Sequence, residues 1–225
     1  THKPINSQTH KPIKPKRNAP PNTTHQTPNT HMTAVLKYNA GNVQSVLFAL
    51  ERLGVQAVWT DDPDTLRAAD KVIFPGQGEA SSAMQYLRER GLDEVIRSLQ
   101  QPVLGICIGL QLFCRHSEEN DTDCLGIFDA DVRKFSGMGG LKVPQMGWNQ
   151  LVSLQGPLFV GVPEENFVYF VHSYYAEEHP AATAITEYGE RFSAAMQRDN
   201  FHAVQFHPEK SGPTGQRILQ NFLNL

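Results

Sequence analysis

From Thr33 to Cys107 short apolar runs alternate with segments of helical period, and that order leaves few folds open. Thr33–Tyr38, Val55–Trp59, Lys71–Phe74 and Pro102–Ile106 have the length and composition of strands. After a turn at Asn39-Ala40-Gly41, Asn42 is a fitting N-cap for a helix. Val43, Val46, Leu47, Leu50 and Leu53 then recur at helical spacing, and Gly54 ends the run. Glu79 to about Leu99 reads as helical with a break near Gly91. Strands separated by helices pair in parallel, and helices cover the resulting sheet. Residues 130–206 have a different rhythm. Val152–Leu154, Phe167–His172, Ala182–Thr186 and Phe192–Gln197 read as short strands, and Arg198-Asp199-Asn200 as a turn into His202–Phe206. Thr214–Leu225 closes the chain as a helix with Ile218, Leu219, Phe222 and Leu223 on one face. The expectation is one α/β domain: a mainly parallel central sheet flanked by helices, with an additional antiparallel strand portion.

Residues 1–31 stand outside that pattern. They hold five basic residues and no acid, are rich in Pro, Thr, Asn and His, and repeat Thr-His-Lys-Pro-Ile at 1–5 and 9–13. With almost nothing apolar to bury, they are expected to be a disordered leader or an added tail. Met32 reads as the start of the domain, which spans 32–225. The chain as a whole carries a formal charge of −3, which does not suggest nucleic acid as a partner. No apolar run approaches the roughly 18–20 residues of a membrane span. Three cysteines at no metal spacing fit a reducing cytoplasm and a free thiol. No two histidines have the spacing of a metal site on one helix, so neither metal nor cofactor is expected.

Gly105-Ile106-Cys107-Ile108-Gly109 has the form Gly-x-Cys-x-Gly between a strand and a helix. This is the cysteine form of a nucleophile elbow. A sharp strand-to-helix turn needs unusual backbone angles at the nucleophile and little bulk beside it. It sets the sulfur near a helix N-terminus, which favours thiolate. The N–H of Ile108 then points toward a developing oxyanion. The same spacing also suits a small residue buried in a β-α turn. Cys114 and Cys124 lack flanking glycines and read as structural.

His207-Pro208-Glu209 follows the apolar run Ala203–Phe206. Pro208 keeps the segment extended, and residues two apart in an extended chain project to one side. His207 is thus placed to act as a base for the thiol, with Glu209 holding the imidazole. A structural histidine would read the same way in isolation. The position at a strand end, like that of Cys107, is where open α/β sheets carry their sites. His172 lies on or just after a strand and is a weaker candidate, because alternation does not orient it.

Taken with Pro-Gly-Gln-Gly at 75–78, these motifs occur in the order found in the class I, or triad, glutamine amidotransferases, which the chain resembles from about Thr33 to Leu225. Tyr38–Asn42, Lys142–Asn149, Tyr169–Tyr174 and His207–Ser211 are similar to segments of the glutaminase subunit of imidazole glycerol phosphate synthase. Pro-x-Met-Gly-Trp-Asn is the most telling of them. The resemblance implies Cys107, His207 and Glu209 as the triad, and Ile108 and Gln77 as oxyanion donors. It implies Gly78, Gln111, Ser173 and Tyr174 as the residues that bind L-glutamine. The partner it implies is a (β/α)₈-barrel cyclase that uses the ammonia in histidine biosynthesis, with Asn42, Trp148, Tyr169 and Lys210 at or near the interface. Gln77 departs from the family pattern, which has valine there. The rival readings are a glutaminase for anthranilate or aminodeoxychorismate synthase, a cysteine peptidase, and a non-catalytic module on the same fold.

Overall fold

The strands of the first half pair in parallel because each is followed by a helix that carries the chain back along the sheet. In the computed structural model Thr1, residues 31–39 and residues 43–225 are described. The leader proposed at 1–31 therefore lies outside them except at its two ends, and Asn42 lies outside them altogether. The first half runs β1 (Thr33–Leu36), α1 (Gln44–Arg52), β2 (Ala57–Thr60), α2 (Pro63–Ala68), β3 (Lys71–Phe74), α3 (Ala80–Glu89), α4 (Leu92–Ser98), β4 (Val103–Ile106) and α5 (Ile108–Phe113). The break between α3 and α4 falls at Gly91, whose φ of 64° suits glycine. Helix α2 was not anticipated, although its start is written in the sequence. Asp62 accepts the Thr65 N–H at 2.8 Å, and Pro63 occupies the first turn.

The second half runs β5 (His116–Ser117), β6 (Thr122–Asp123), β7 (Asp131–Lys134), β8 (Gln145–Gln150), β9 (Phe167–His172), β10 (Tyr174–Ala176), β11 (Ala182–Tyr188), β12 (Glu190–Arg198), β13 (Phe201–Val204) and α6 (Gly212–Leu223). The main sheet has the order β11-β12-β13-β4-β3-β1-β2. Its parallel part ends at β13, which pairs in parallel with β4 and antiparallel with β12. Two smaller sheets, β10-β7-β5-β6 and β8-β9, stand beside it. The expected mix of parallel and antiparallel pairing is present. One strand assignment was wrong: Val152–Leu154 is not a strand, and Val152 makes a single bridge to Ile185. The strand lies earlier, at β8, where glutamine, glycine and asparagine conceal it.

Both faces of the sheet are covered. In β1, Ala34 and Leu36 pack into one apolar cluster with Met84 and Phe113, while Val35 packs into the other with Leu50, Phe206 and Phe222. The second cluster also contains Cys107, so the reactive segment is anchored in the core.

His202, inside β13, has a consequence for stability. It is buried, its Nδ1 has no hydrogen-bond partner, and burial lowers its pKa to about 4. An unfolded histidine titrates near 6.5. Above that pH the folded and unfolded chains bind the same number of protons at this site. Below it the unfolded chain is protonated first, and stability is lost until the pH reaches the folded pKa. The effect is about 3 kcal/mol across that window. Urea midpoints are expected to fall between pH 7 and pH 4.5, and less steeply in His202→Phe. A pH-independent difference between the two proteins would contradict this.

Candidate active site

Cys107 is the N-cap of α5, with φ 51° and ψ −104°. That conformation is rare for a residue with a side chain and costs on the order of 1–3 kcal/mol. The surroundings hold it in place. The Cys107 N–H donates to the Val204 carbonyl at 2.7 Å, which ties the elbow to the neighbouring strand β13. Three glycines let the backbones meet here. A Cβ on Gly105 would lie 2.7 Å from Phe113 and 2.8 Å from the backbone of Gly109, and one on Gly109 would lie 2.9 Å from the Phe74 carbonyl. A Cβ on Gly76 would lie 2.6 Å from the Ile106 carbonyl. The N–H of Ile108 opens α5, where no intrahelical carbonyl is available to it.

The sulfur is buried and lies near the Val171 carbonyl at 3.9 Å and the Gln205 amide, which donates to it at 3.6 Å. Gln205 is fully buried and also accepts from Gln111 at 3.1 Å. Gln111 donates again, to the Tyr174 carbonyl at 2.8 Å. Both amide hydrogens of Gln111 are thus used by the protein, and its carbonyl oxygen is left to accept.

His207 follows β13. Its Nδ1 lies 2.7 Å from Oε1 of Glu209, and both side chains are 3% exposed. The segment is braced from β9: the His207 N–H donates to the Tyr169 carbonyl, and the Ser211 hydroxyl bridges the Tyr169 N–H and the His207 carbonyl. Burial by itself would lower the His207 pKa. The charge and hydrogen bonding of the Cys107 sulfur, together with Glu209, outweigh it and raise the value to about 10. Nε2 of His207 and Oε2 of Glu209 are buried with no partner of ordinary hydrogen-bond geometry.

A cavity of about 390 Å³ brings together Cys107, Ile108, His207, Gln77, Gly78 and Gln111 from the sequence-derived set, and Ser173, Tyr174 and Lys210 as well. Trp148 and Tyr169 lie elsewhere. Their rings meet edge to face at 6.0 Å, and Trp148 lines a larger groove of about 610 Å³ along β8. Trp148 and Met146, two residues apart on β8, are 55% and 66% exposed.

The loop at 75–78 departs from expectation. The Gln77 N–H donates to the Tyr38 hydroxyl at 3.3 Å, and that hydroxyl also lies 2.7 Å from the Pro75 carbonyl and 2.5 Å from the Gln77 carbonyl. Burial pushes the Tyr38 phenol up, so it remains protonated. In this arrangement the Gln77 N–H is occupied by Tyr38, because the end of β1 lies directly beside the loop that leaves β3.

Sequence reasoning missed Tyr38, Gln205 and Glu119 as members of the site. Glu119 lines the cavity, burial raises its pKa, and it accepts the Ala80 N–H at 2.7 Å. Gln205 had a signal, lying two residues before His207 in the sequence. Among the described residues no group of three or more His, Cys, Asp or Glu could hold a metal ion, and no helix is long and apolar enough to cross a membrane.

Residues 34–225 match the family described as glutamine amidotransferase class-I. The chain is 58% identical over 193 residues to the imidazole glycerol phosphate synthase subunit HisH of Bacteroides fragilis, covering 85% of this chain and 98% of that protein. It is 46% identical over 193 residues to the protein of the same name from Escherichia coli K12, with the same coverage. Among solved structures, a putative GMP synthase subunit from Thermoplasma acidophilum superposes with a TM-score of 0.66 at 21% identity, covering 86% of this chain and 93% of that one. PurLQS from Thermotoga maritima gives 0.65 at 18%, covering 86% and 98%. At those identities the structures speak for the fold alone, whereas the sequence relatives span nearly their whole length. The chain belongs to the class-I glutamine amidotransferases, in the group that bears the name imidazole glycerol phosphate synthase subunit HisH.

Proposed function

We propose that this chain hydrolyses L-glutamine to glutamate and ammonia through a thioester on Cys107, and delivers the ammonia to a (β/α)₈-barrel cyclase subunit. The cyclase uses it to make imidazole glycerol phosphate and aminoimidazole carboxamide ribotide in histidine biosynthesis, a cytoplasmic process. The observation that carries the reading is the Cys107 elbow and His207 in one cavity, with Glu209 hydrogen-bonded to the imidazole. The relatives named above support the choice of partner.

Glutamine enters with its carboxamide at the sulfur. Gly78, Ser173, Tyr174 and the Gln111 carbonyl contact the substrate, and the Glu119 carboxylate suits its α-ammonium group. The sulfur attacks the carboxamide carbon, and the oxyanion is stabilised by the Ile108 N–H. His207 gives its Nε2 proton to the leaving nitrogen, the C–N bond breaks, and ammonia departs. In the thioester the sulfur has lost the charge that raised the His207 pKa. That removes one of the influences holding the imidazole protonated, and His207, having given up its proton to the leaving amine, can take one from water. Glu209 fixes the tautomer in both halves.

Gln77 becomes a second oxyanion donor when its peptide turns away from Tyr38. Removing the hydroxyl therefore has a predicted sign. A hydrogen bond of about 1–1.5 kcal/mol corresponds to roughly a tenfold population change. Tyr38→Phe is expected to raise partner-free glutaminase turnover by up to about that factor. An unchanged or lower rate, measured as glutamate release, would show that Tyr38 does not restrain the loop.

Free ammonia is protonated in neutral water, so a consumer must receive it directly. Trp148, Tyr169, Lys210 and Asn42 are the residues proposed to face it, and the exposed Met146–Trp148 strip suits an apolar contact. The test is a cyclase assay with glutamine as the only nitrogen source, after mixing this chain with a barrel subunit from a HisH-containing relative. Imidazole glycerol phosphate should form. Glutamate release without nitrogen transfer, combined with support of a chorismate-binding synthase, would favour the rival assignment.

A further inference from the structure

His172 lies against the same cavity as the triad and has no part in it. Its Nδ1 is 2.7 Å from the Tyr174 carbonyl. A carbonyl only accepts, so Nδ1 carries the proton and Nε2 presents a lone pair. That Nε2 is buried and has no hydrogen-bond partner. An orphaned buried acceptor costs about 1–3 kcal/mol and marks a place for a donor the protein does not supply. The ring cannot turn to find one elsewhere. It is 6% exposed and packed among Phe135, Phe192 and Phe170 at centroid distances of 5.3, 5.4 and 5.5 Å.

Its protonation state is equally constrained. Burial lowers the His172 pKa to about 4, and the charge of nearby His207 acts in the same direction against the Tyr174 carbonyl. The ring is neutral at working pH. It neither supplies nor removes a proton, and it offers one fixed acceptor. His207 offers a second buried Nε2 once it has protonated the leaving amine. Both residues line the cavity that holds Cys107, and two acceptors there suit the two hydrogens of one water.

We propose that His172 holds the hydrolytic water of the second half-reaction. The water donates one hydrogen to His172 Nε2 and the other to His207 Nε2, and its oxygen faces the thioester carbon. The inference rests on the Cys107 thioester proposed above. In this step the water oxygen forms the new C–O bond, and its proton passes to His207 Nε2. The C–S bond breaks, the sulfur leaves with the electron pair, and glutamate is released. The proton on the other side stays with the product, and His172 exchanges none.

The test is the partition of the thioester between water and hydroxylamine at a fixed hydroxylamine concentration, using the full chain. The ratio of glutamyl hydroxamate to glutamate reports deacylation alone, whichever step limits turnover. His172→Asn keeps a donor for the Tyr174 carbonyl and loses the Nε2 acceptor. His172→Phe keeps the aromatic packing and also loses it. His172→Gln puts a carboxamide oxygen near the place of Nε2. The ratio is expected to rise about tenfold or more in the Asn and Phe variants, and to stay within about twofold of wild type in the Gln variant. If both products fall together and the ratio is unchanged in Asn and Phe, His172 is a packing residue and the proposal is overturned. If the wild-type chain forms neither product, it is the thioester reading that has failed.

Discussion

Cys107→Ala is expected to abolish glutamine hydrolysis, by roughly 10⁴-fold or more, while leaving the fold intact. No other described thiol is placed to replace it. Cys114 is wholly buried with its pKa raised by that burial, and burial pushes the Cys124 thiol up to about 12. The sulfur's contacts to the Val171 carbonyl and from Gln205 are long, and without the sulfur His207 keeps its hydrogen bond to Glu209. Their loss, with the small cavity left behind, should cost no more than about 1–2 kcal/mol. Alanine keeps the strained backbone angles, so the elbow itself survives. Glutamate release and a urea unfolding curve separate the two effects. Near-normal turnover in the variant would end the Cys107 assignment, and wholesale unfolding would leave His207→Asn to test the triad.

Gly105→Ala is expected to remove both stability and activity, although it adds a single methyl group. The new carbon would meet Phe113 at 2.7 Å and the Gly109 backbone at 2.8 Å. Phe113 cannot move aside. Its ring is fixed edge-on by Phe201 at 5.6 Å and Phe74 at 5.8 Å, and by Phe128 at 6.3 Å. The first turn of α5 must therefore shift, and Cys107 with it. Overpacking of this kind costs about 3 kcal/mol or more, and a displacement near 1 Å at the reacting group costs on the order of 100-fold in kcat/KM. Gly54→Ala is the contrasting change. Its φ of 78° strains alanine, but nothing lies within 4 Å of the new carbon. It should lose about 1 kcal/mol and leave kcat/KM unchanged. Equal effects at the two positions would mean that crowding at the elbow is not what Gly105 prevents.

These two cases show what could be read before any coordinates. The elbow and His-Pro-Glu are local, held in stretches of five and three residues, but the extended run expected at 207–209 was wrong: Pro208–Lys210 form a 3-10 turn, and that turn brings Glu209 onto the imidazole. The sheet's mixed character was likewise visible in strand spacing. The contacts that join distant segments were not. Tyr38 reaches the loop at Gln77 across 39 residues, and no period or motif predicts that a hydroxyl will occupy a backbone N–H there. Glu119 arrives from the segment between β5 and β6, after the helix that carries Cys107. His172 was ambiguous because alternation alone gives two choices. The buried neighbours Val168 and Phe170 in β9 decide that its ring points inward. The polar residues of β8 masked a strand that pairs along its whole length with β9.

The pairing of β4 with β13 has one more consequence. Cys107 and His207 follow adjacent strands locked by a run of parallel pairs from Phe201↔Val103 to Val204↔Ile106, so the sheet fixes the strand ends from which both project. The Gln77 peptide belongs to a different part, a loop held by one phenol. The site thus resembles a vice with one jaw cast into the frame and one jaw on a latch. On the mechanism proposed above, control that acts from a distance has the latch to work on, because moving the cast jaw would mean tearing the sheet.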